Sequence, residues 1–151
     1  MKRTFLLHQG LSAAVAGVGH TDTLALVDAG YSIPRDAHRI DLAVRPHLPR
    51  LTDVLEAVLS ELWVEMYFVA EEMEAANPGL LTEIERILSG VPGRRIAQSE
   101  LKARVRDAKA VIRTGEYTPF GNVLLVGGVP PAFFAGPPGH PVDSNGKVTA
   151  G

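Results

Sequence analysis

Two side chains in this 151-residue sequence stand out for chemistry, His20 and Asp28, which bracket the apolar run 24–27. A histidine can give and take a proton near neutrality, and an aspartate can accept hydrogen bonds from a polar ligand or orient an imidazole. The eight steps between them span about 26 Å if extended at about 3.3 Å per residue. The pair therefore cannot meet across a straight strand. It can meet only if the chain doubles back or if two copies come together. The plain structural alternative is that His20 caps a helix end and Asp28 caps a turn.

Other candidates carry less. His20-Thr21-Asp22 offers two potential metal ligands with no third cluster, so no metal site is expected. His8, His38, His47 and His140 are scattered through expected loops and the tail, as solvated or packed histidines. Glu71-Glu72-Met73-Glu74 reads as a solvated acidic helix face. Gly17-Val18-Gly19 lacks the third glycine and the preceding strand of a dinucleotide fingerprint, and no P-loop pattern occurs. The dense turn 115–122 offers an aromatic face, free backbone groups and the Asn122 amide, as a structural connection or as a ligand loop.

The elements that must position these residues follow from periodicity. Residues 11–18 are small and apolar, a short buried helix. Run 24–27, closed by Asp28-Ala29-Gly30, reads as a buried strand entering a turn, and 31–39 as a loop containing Pro34. Residues 39–44 suit a second extended segment. Leu51, Val54, Leu55, Val58, Leu59 and Leu62 form the clearest amphipathic stripe. Residues 64–69 read as a strand, 71–76 as a helical continuation and 80–88 as another helix. Residues 94–97 suit a short strand, Ser99 a cap for a helix containing Leu101 and Val105, and 110–112 and 123–126 two more strands. The alternation predicts an α/β fold, a single domain with a mostly parallel β-sheet flanked by helices. Such sheets bind ligands beyond their carboxyl edges, which directs attention to Asp28 and to 113–122.

Composition sets bounds. Fifteen Lys and Arg stand against 17 Asp and Glu, for a formal charge of -2, which argues against nucleic-acid binding through bulk charge. The absence of cysteine excludes disulfides, thiol catalysis and cysteine metal centres. No apolar run approaches the ~18–20 residues of a membrane span. Lys2 and Arg3 before 4–7, with Ala14-Val15-Ala16 beyond, outline a signal peptide, but His8, Gln9 and Gly10 interrupt it; a cytoplasmic protein is expected. Residues 130–151 hold five prolines and four glycines in 22 positions and read as a flexible tail, with Phe133 and Phe134 available to dock on a neighbour.

The stretches GHTDTLALVDAGYSIP (19–34), RIDLAV (39–44) and AVIRTGEYTPFGNVLLVGGV (110–129) resemble the RbsD/FucU sugar-mutarotase family, and its ribose branch more than its fucose branch. The resemblance covers residues 1–129 and leaves the 130–151 tail outside it. It implies an α/β fold assembled into a homo-oligomer, typically a decamer of stacked pentameric rings, with sites at subunit boundaries and no cofactor or metal. It also implies an intramolecular isomerase that interconverts pyranose and furanose forms of free D-ribose by acid/base ring opening and reclosure. On this resemblance His20 matches the catalytic acid/base. Asp28, Gln98, Lys102, Phe120, Gly121 and Asn122 match substrate-binding positions. Whether Asp28 binds sugar or orients His20 stays open. The family's ribose members usually carry His where this chain has Gln98 and Tyr where it has Phe120. Gln still hydrogen-bonds a hydroxyl but exchanges no proton near neutrality, and Phe loses a donor and an acceptor. The alternatives are a mutarotase for another monosaccharide, such as a fucose-like sugar, and a catalytically inactive sugar-binding or regulatory member.

Overall fold

In a computed structural model of the chain, residues 1–131 and 133 are described. The elements run α1 (Gln9–Ala16), β1 (Thr23–Val27), β2 (Arg39–Asp41), α2 (Leu51–Leu59), β3 (Val64–Ala70), α3 (Met73–Ala76) and α4 (Pro78–Ile87), then β4 (Gly93–Ile96), α5 (Gln98–Val105), β5 (Ala110–Arg113) and β6 (Val123–Gly127). Six strands form one sheet in the order β2-β5-β1-β6-β3-β4. The pairs β1–β5, β2–β5 and β3–β4 are parallel, whereas β6 runs antiparallel to both β1 and β3. Five strands thus share one direction and β6 opposes them. The sheet is mostly parallel, as the alternation of elements predicts.

β1 lies inside the sheet and is buried on both faces, which is why its sequence is a continuous apolar run rather than an alternating one. Leu24 and Leu26 join the larger core, beneath α1, α2 and α4. Ala25 and Val27 join the smaller one, against Leu101 and Val105 of α5. The α2 stripe, Leu51, Val54, Leu55 and Val58, is buried as its spacing requires. Among the described residues no helix is long and apolar enough to cross a membrane.

Three local readings change. The first helix begins earlier, at Gln9, because the His8 imidazole accepts the Leu11 N–H (Nδ1, 3.2 Å) and caps it; His8 is neither simply solvated nor packed. The helix expected at 80–88 begins earlier, at Pro78, whose missing N–H in the first turn costs nothing. Ser99 does not cap α5. Ala97 precedes that helix, and the Glu72 carboxylate accepts the Gln98 N–H at 3.0 and 3.1 Å. Glu72 is therefore not part of a merely solvated face, and Met73 beside it is fully buried. Of the Pro/Gly-rich stretch 130–151, all but residues 130, 131 and 133 lie outside the described residues. Phe133 is exposed, and Phe134 lies outside the described residues.

The loop after β5 is pinned by its neighbours. The Thr114 hydroxyl and N–H both donate to the Val27 carbonyl at 2.9 Å, and the Gly115 N–H donates to the Pro49 carbonyl at 2.8 Å. A Cβ at Gly115 would collide with the Leu48 backbone, which has no flexible side-chain end to yield. Gly115→Ala is therefore expected to destabilise the fold by about 1–3 kcal/mol through overpacking, read as a lower urea midpoint. An unchanged midpoint would show that the turn at 45–49 gives way freely.

Candidate functional site

Asp28 follows the last residue of β1, and Asn122 immediately precedes β6. Because β6 is antiparallel to β1, these two positions meet at one edge of the sheet. The Asp28 N–H donates to Asn122 Oδ1 at 3.0 Å, and Asn122 Nδ2 donates to Asp28 Oδ2 at 3.1 Å. The first bond needs an acceptor, so it fixes which way the amide points. Gly30 N–H donates to the other carboxylate oxygen at 2.9 Å. Asn122 is only 1% exposed and Asp28 half-buried. Burial pushes the Asp28 carboxyl above its ordinary value; the bonds from Asn122 and Gly30 pull it back, Glu116 pushes it up and Lys102 lowers it.

Tyr31 and Lys102 complete this edge. Burial, then the Asp28 charge, pushes the Tyr31 hydroxyl up to about 12, with Arg106 opposing. Lys102 Nζ lies over the Tyr31 ring, 5.9 Å from its centre. Gln98 and Lys102 sit one turn apart on α5 and so share a face. Gln98 Oε1 is buried with no hydrogen-bond partner. An unpaired buried acceptor costs about 1–3 kcal/mol, a cost that a ligand hydroxyl would remove.

The turn 115–122 is built around a residue that the sequence did not single out, Glu116, 2% exposed. Its carboxylate accepts the Thr118 hydroxyl (2.8 Å), the Tyr117 N–H (3.2 Å) and the Leu51 N–H at the start of α2 (3.4 Å). Its backbone carbonyl accepts the Ala29 N–H at 2.8 Å, tying the turn to the residue after Asp28. Gly121 is required because a Cβ there would sit 2.7 Å from Glu116 Cγ. Phe120 adopts a left-handed backbone (φ 58), a costly conformation for an aromatic residue held by its surroundings. A cleft of about 190 Å³ is lined by Asp28, Gly30, Glu116, Tyr117, Thr118 and Pro119. That is below the ~300–1,000 Å³ of complete small-molecule pockets.

His20 lies elsewhere. It precedes β1 at the opposite edge, about 16 Å of strand away from Asp28 at the usual rise. It caps no helix; Gly17 closes α1. Its turn is held by Asp22 Oδ2, which accepts the Gly19 N–H at 2.9 Å, and by reciprocal bonds from Thr21 N–H to Gly127 O and from Gly127 N–H to Asp22 O, both 2.8 Å. Thr21 has φ 68, rare for a β-branched residue. The His20 side chain is 54% exposed, and its Nε2 lies 2.9 Å from Glu65 Oε2. One copy of the chain thus brings Asp28, Lys102, Asn122 and the 120–122 turn together and holds His20 apart from them. Among the described residues no group of three or more His, Cys, Asp or Glu side chains is arranged to hold a metal ion.

The model of the RbsD / FucU transport protein family matches residues 1–130. The chain belongs to the RbsD/FucU family. It is similar to the D-ribose pyranase of Coprothermobacter proteolyticus, 43% identical over 129 residues that cover 85% of this chain and 98% of that one. The D-ribose pyranase of Pseudomonas putida strain GB-1 is 48% identical over 131 residues, with the same coverage. The solved structure of Bacillus subtilis RbsD complexed with D-ribose superposes with a TM-score of 0.83 at 36% identity, covering 86% of this chain and 99% of that one. Within this RbsD/FucU fold, Glu65, Glu72 and Glu116 are the residues that sequence reasoning missed. Glu65 and Glu72 act on partners distant in sequence, and Glu116 links its own turn to the distant Leu51, so no local pattern marks them.

Asn122→Ala removes a hydrogen bond made to the ionised Asp28, so the Asp28 carboxyl is expected to titrate at still higher pH than in the wild type. A ¹³C NMR titration of the carboxyl carbon reads this directly. A downward or absent shift would mean that the Asn122 bond does not favour the charged form.

Proposed function

We propose that the chain is a D-ribose pyranase, a sugar mutarotase that interconverts the pyranose and furanose forms of free D-ribose. The observation that carries this reading is the hydrogen-bonded Asp28–Asn122 pair, set in a fold so close to that of an RbsD complexed with D-ribose. A partly dehydrated carboxylate beside a fixed amide suits a ligand made of hydroxyl groups, and Lys102 and the unpaired Gln98 Oε1 add a donor and an acceptor.

In the chemistry proposed, the anomeric hydroxyl gives its proton to the His20 imidazole as the bond between C1 and the ring oxygen breaks. The imidazolium then returns that proton to the ring oxygen, and an open aldehyde results. Attack by a different hydroxyl, with the protons returned in the reverse sense, closes the other ring. Imidazole suits both directions because its ordinary pKa is about 6.5. Asp28, Gln98, Lys102, Phe120, Gly121 and Asn122 serve in binding, and no cofactor or metal takes part.

The reading requires two copies. His20 and Asp28 stand at opposite edges of one sheet, and the cleft beside Asp28 is small, so a site containing both is built where one copy presents His20 to the Asp28 edge of the next. A homo-oligomer, as stacked pentameric rings in a decamer, located in the cytoplasm, is part of the proposal. Residues 1–129 form the mutarotase unit and 130–151 an extension that activity does not need. A second reading, a mutarotase for another monosaccharide, is favoured by Gln98 and Phe120 at binding positions.

NMR magnetisation transfer on D-ribose tests both readings at equilibrium. Wild type is expected to speed pyranose–furanose exchange, and His20→Ala and Asp28→Ala are each expected to lose it while keeping their assembly. Mixed oligomers of the two variants should regain about a quarter of the activity, the share of boundaries that pair an intact His20 with an intact Asp28. No recovery would overturn the shared site. Exchange of other pentoses or deoxyhexoses without ribose would favour the second reading.

A further inference from the structure

We propose that Glu65 is a positioning residue for His20, holding its imidazole by Nε2 and leaving Nδ1 as the nitrogen that exchanges protons with substrate. The inference rests on the reading of His20 as the acid/base.

Three observations converge on Glu65. The first is the contact itself, Nε2 to Oε2 at 2.9 Å. The second is an irregularity in strand pairing. Val64 pairs with Gly127 and Met66 with Val126, so two steps along β3 oppose one step along β6, and Glu65 is the extra residue. Such bulges re-aim a side chain that a regular strand would point elsewhere. Glu65 reaches from β3, past β6, to the turn ahead of β1. The third is the space made for it. A Cβ on Gly128 would sit 2.8 Å from Glu65 Cβ, and one on Gly127 would sit 2.7 Å from the Gly19 carbonyl oxygen. The adjacent glycines let the bulge and the histidine turn approach the end of β6 together.

Stability does not explain this arrangement. Both side chains are substantially exposed, at 54% and 38%, where an ion pair adds little to folding. A carboxylate is an obligate acceptor, so the contact selects the Nε2–H form of the neutral ring and fixes its plane. Proton transfer then falls to Nδ1. A histidine held on one side by a carboxylate and free on the other is the general arrangement by which acid/base imidazoles are oriented.

The test measures the ¹⁵N shifts of the His20 ring nitrogens in the full-length protein, with kcat and KM for exchange, in wild type and in the variants Glu65→Ala, Glu65→Gln and Glu65→Asp. Wild type should show one protonated and one unprotonated nitrogen with widely separated shifts. In Glu65→Ala the separation should narrow, and kcat should fall about ten- to a hundredfold with KM within about twofold. Glu65→Gln should fall comparably, because its amide can present a donor or an acceptor. Glu65→Asp, still an obligate acceptor, should keep more kcat than Glu65→Gln. Wild-type kcat in Glu65→Ala, or an unchanged shift separation, would overturn the proposal. If wild type catalyses exchange of no sugar, the functional reading fails by itself, and the shift separation still decides whether Glu65 fixes the imidazole.

Discussion

The antiparallel placement of β6 between β1 and β3 is the constraint on which both chemical edges depend. A strand running against β1 brings its own start to the end of β1 and its own end to the start of β1. At the first junction Asn122 clamps Asp28 through both the backbone N–H and the carboxylate. At the second, Gly127 exchanges hydrogen bonds with the turn that carries His20. A parallel strand in the same slot would bring its ends to β1 the other way round, and neither junction would form. One five-residue strand therefore sets the positions of two groups that lie too far apart to touch.

The two edges are held by different physics. At the Asp28 edge, burial works against the charge, and two bonds to the carboxylate answer it, from the Asn122 amide and the Gly30 N–H, while the Asp28 N–H donates to Asn122 Oδ1 and holds the amide in place. The folded carboxyl holds its proton more tightly than the unfolded one. Its contribution to stability is thus full below the ordinary carboxylate value and is lost as pH rises through the raised one. The charged form of Asp28 is therefore maintained at some cost to folding, and the buried Asn122 amide limits that cost. At the His20 edge the imidazole stays in water, and order comes from the backbone: a left-handed Thr21, the Asp22 side chain across the turn and the bulge at Glu65.

What was legible in the sequence follows the range of the interactions. The continuous run of β1 and the stripe of α2 report burial that each residue experiences through its own neighbours, and both elements are where the pattern puts them. Strand rise alone separates His20 from Asp28. The conjunction of Asp28 with the loop after β5 follows from the carboxyl-edge rule for parallel sheets. The antiparallel sense of β6 was not legible, since strand direction is set by connections and packing rather than by strand composition. Ser99 has the local chemistry of a cap, yet Glu72, 26 positions earlier in the chain, takes that place because β3 and β4 are parallel neighbours with adjacent carboxyl ends. Glu65 and Glu116 look like ordinary acidic residues until the bulge and the turn fix what they face. The resemblance supplied Gln98 and Lys102, for which spacing gave no signal.

Separating His20 from Asp28 by the length of a strand has a consequence for how the proposed activity would be controlled. A single chain holds the Asp28 edge ordered, with Gln98 Oε1 unpaired and Lys102 over the Tyr31 ring. The same chain holds His20 ready on a carboxylate at the other edge. In the proposed site neither edge would need to rearrange; each would need only the opposite edge of another copy. In the proposed assembly the contact is heterologous, and a rotation that closes it into a ring would give every boundary one His20 and one Asp28. On this reading, catalysis follows from assembly geometry rather than from a conformational change within the subunit. The pinned turns at both edges would then be the means by which a rigid subunit delivers the two groups to a shared boundary.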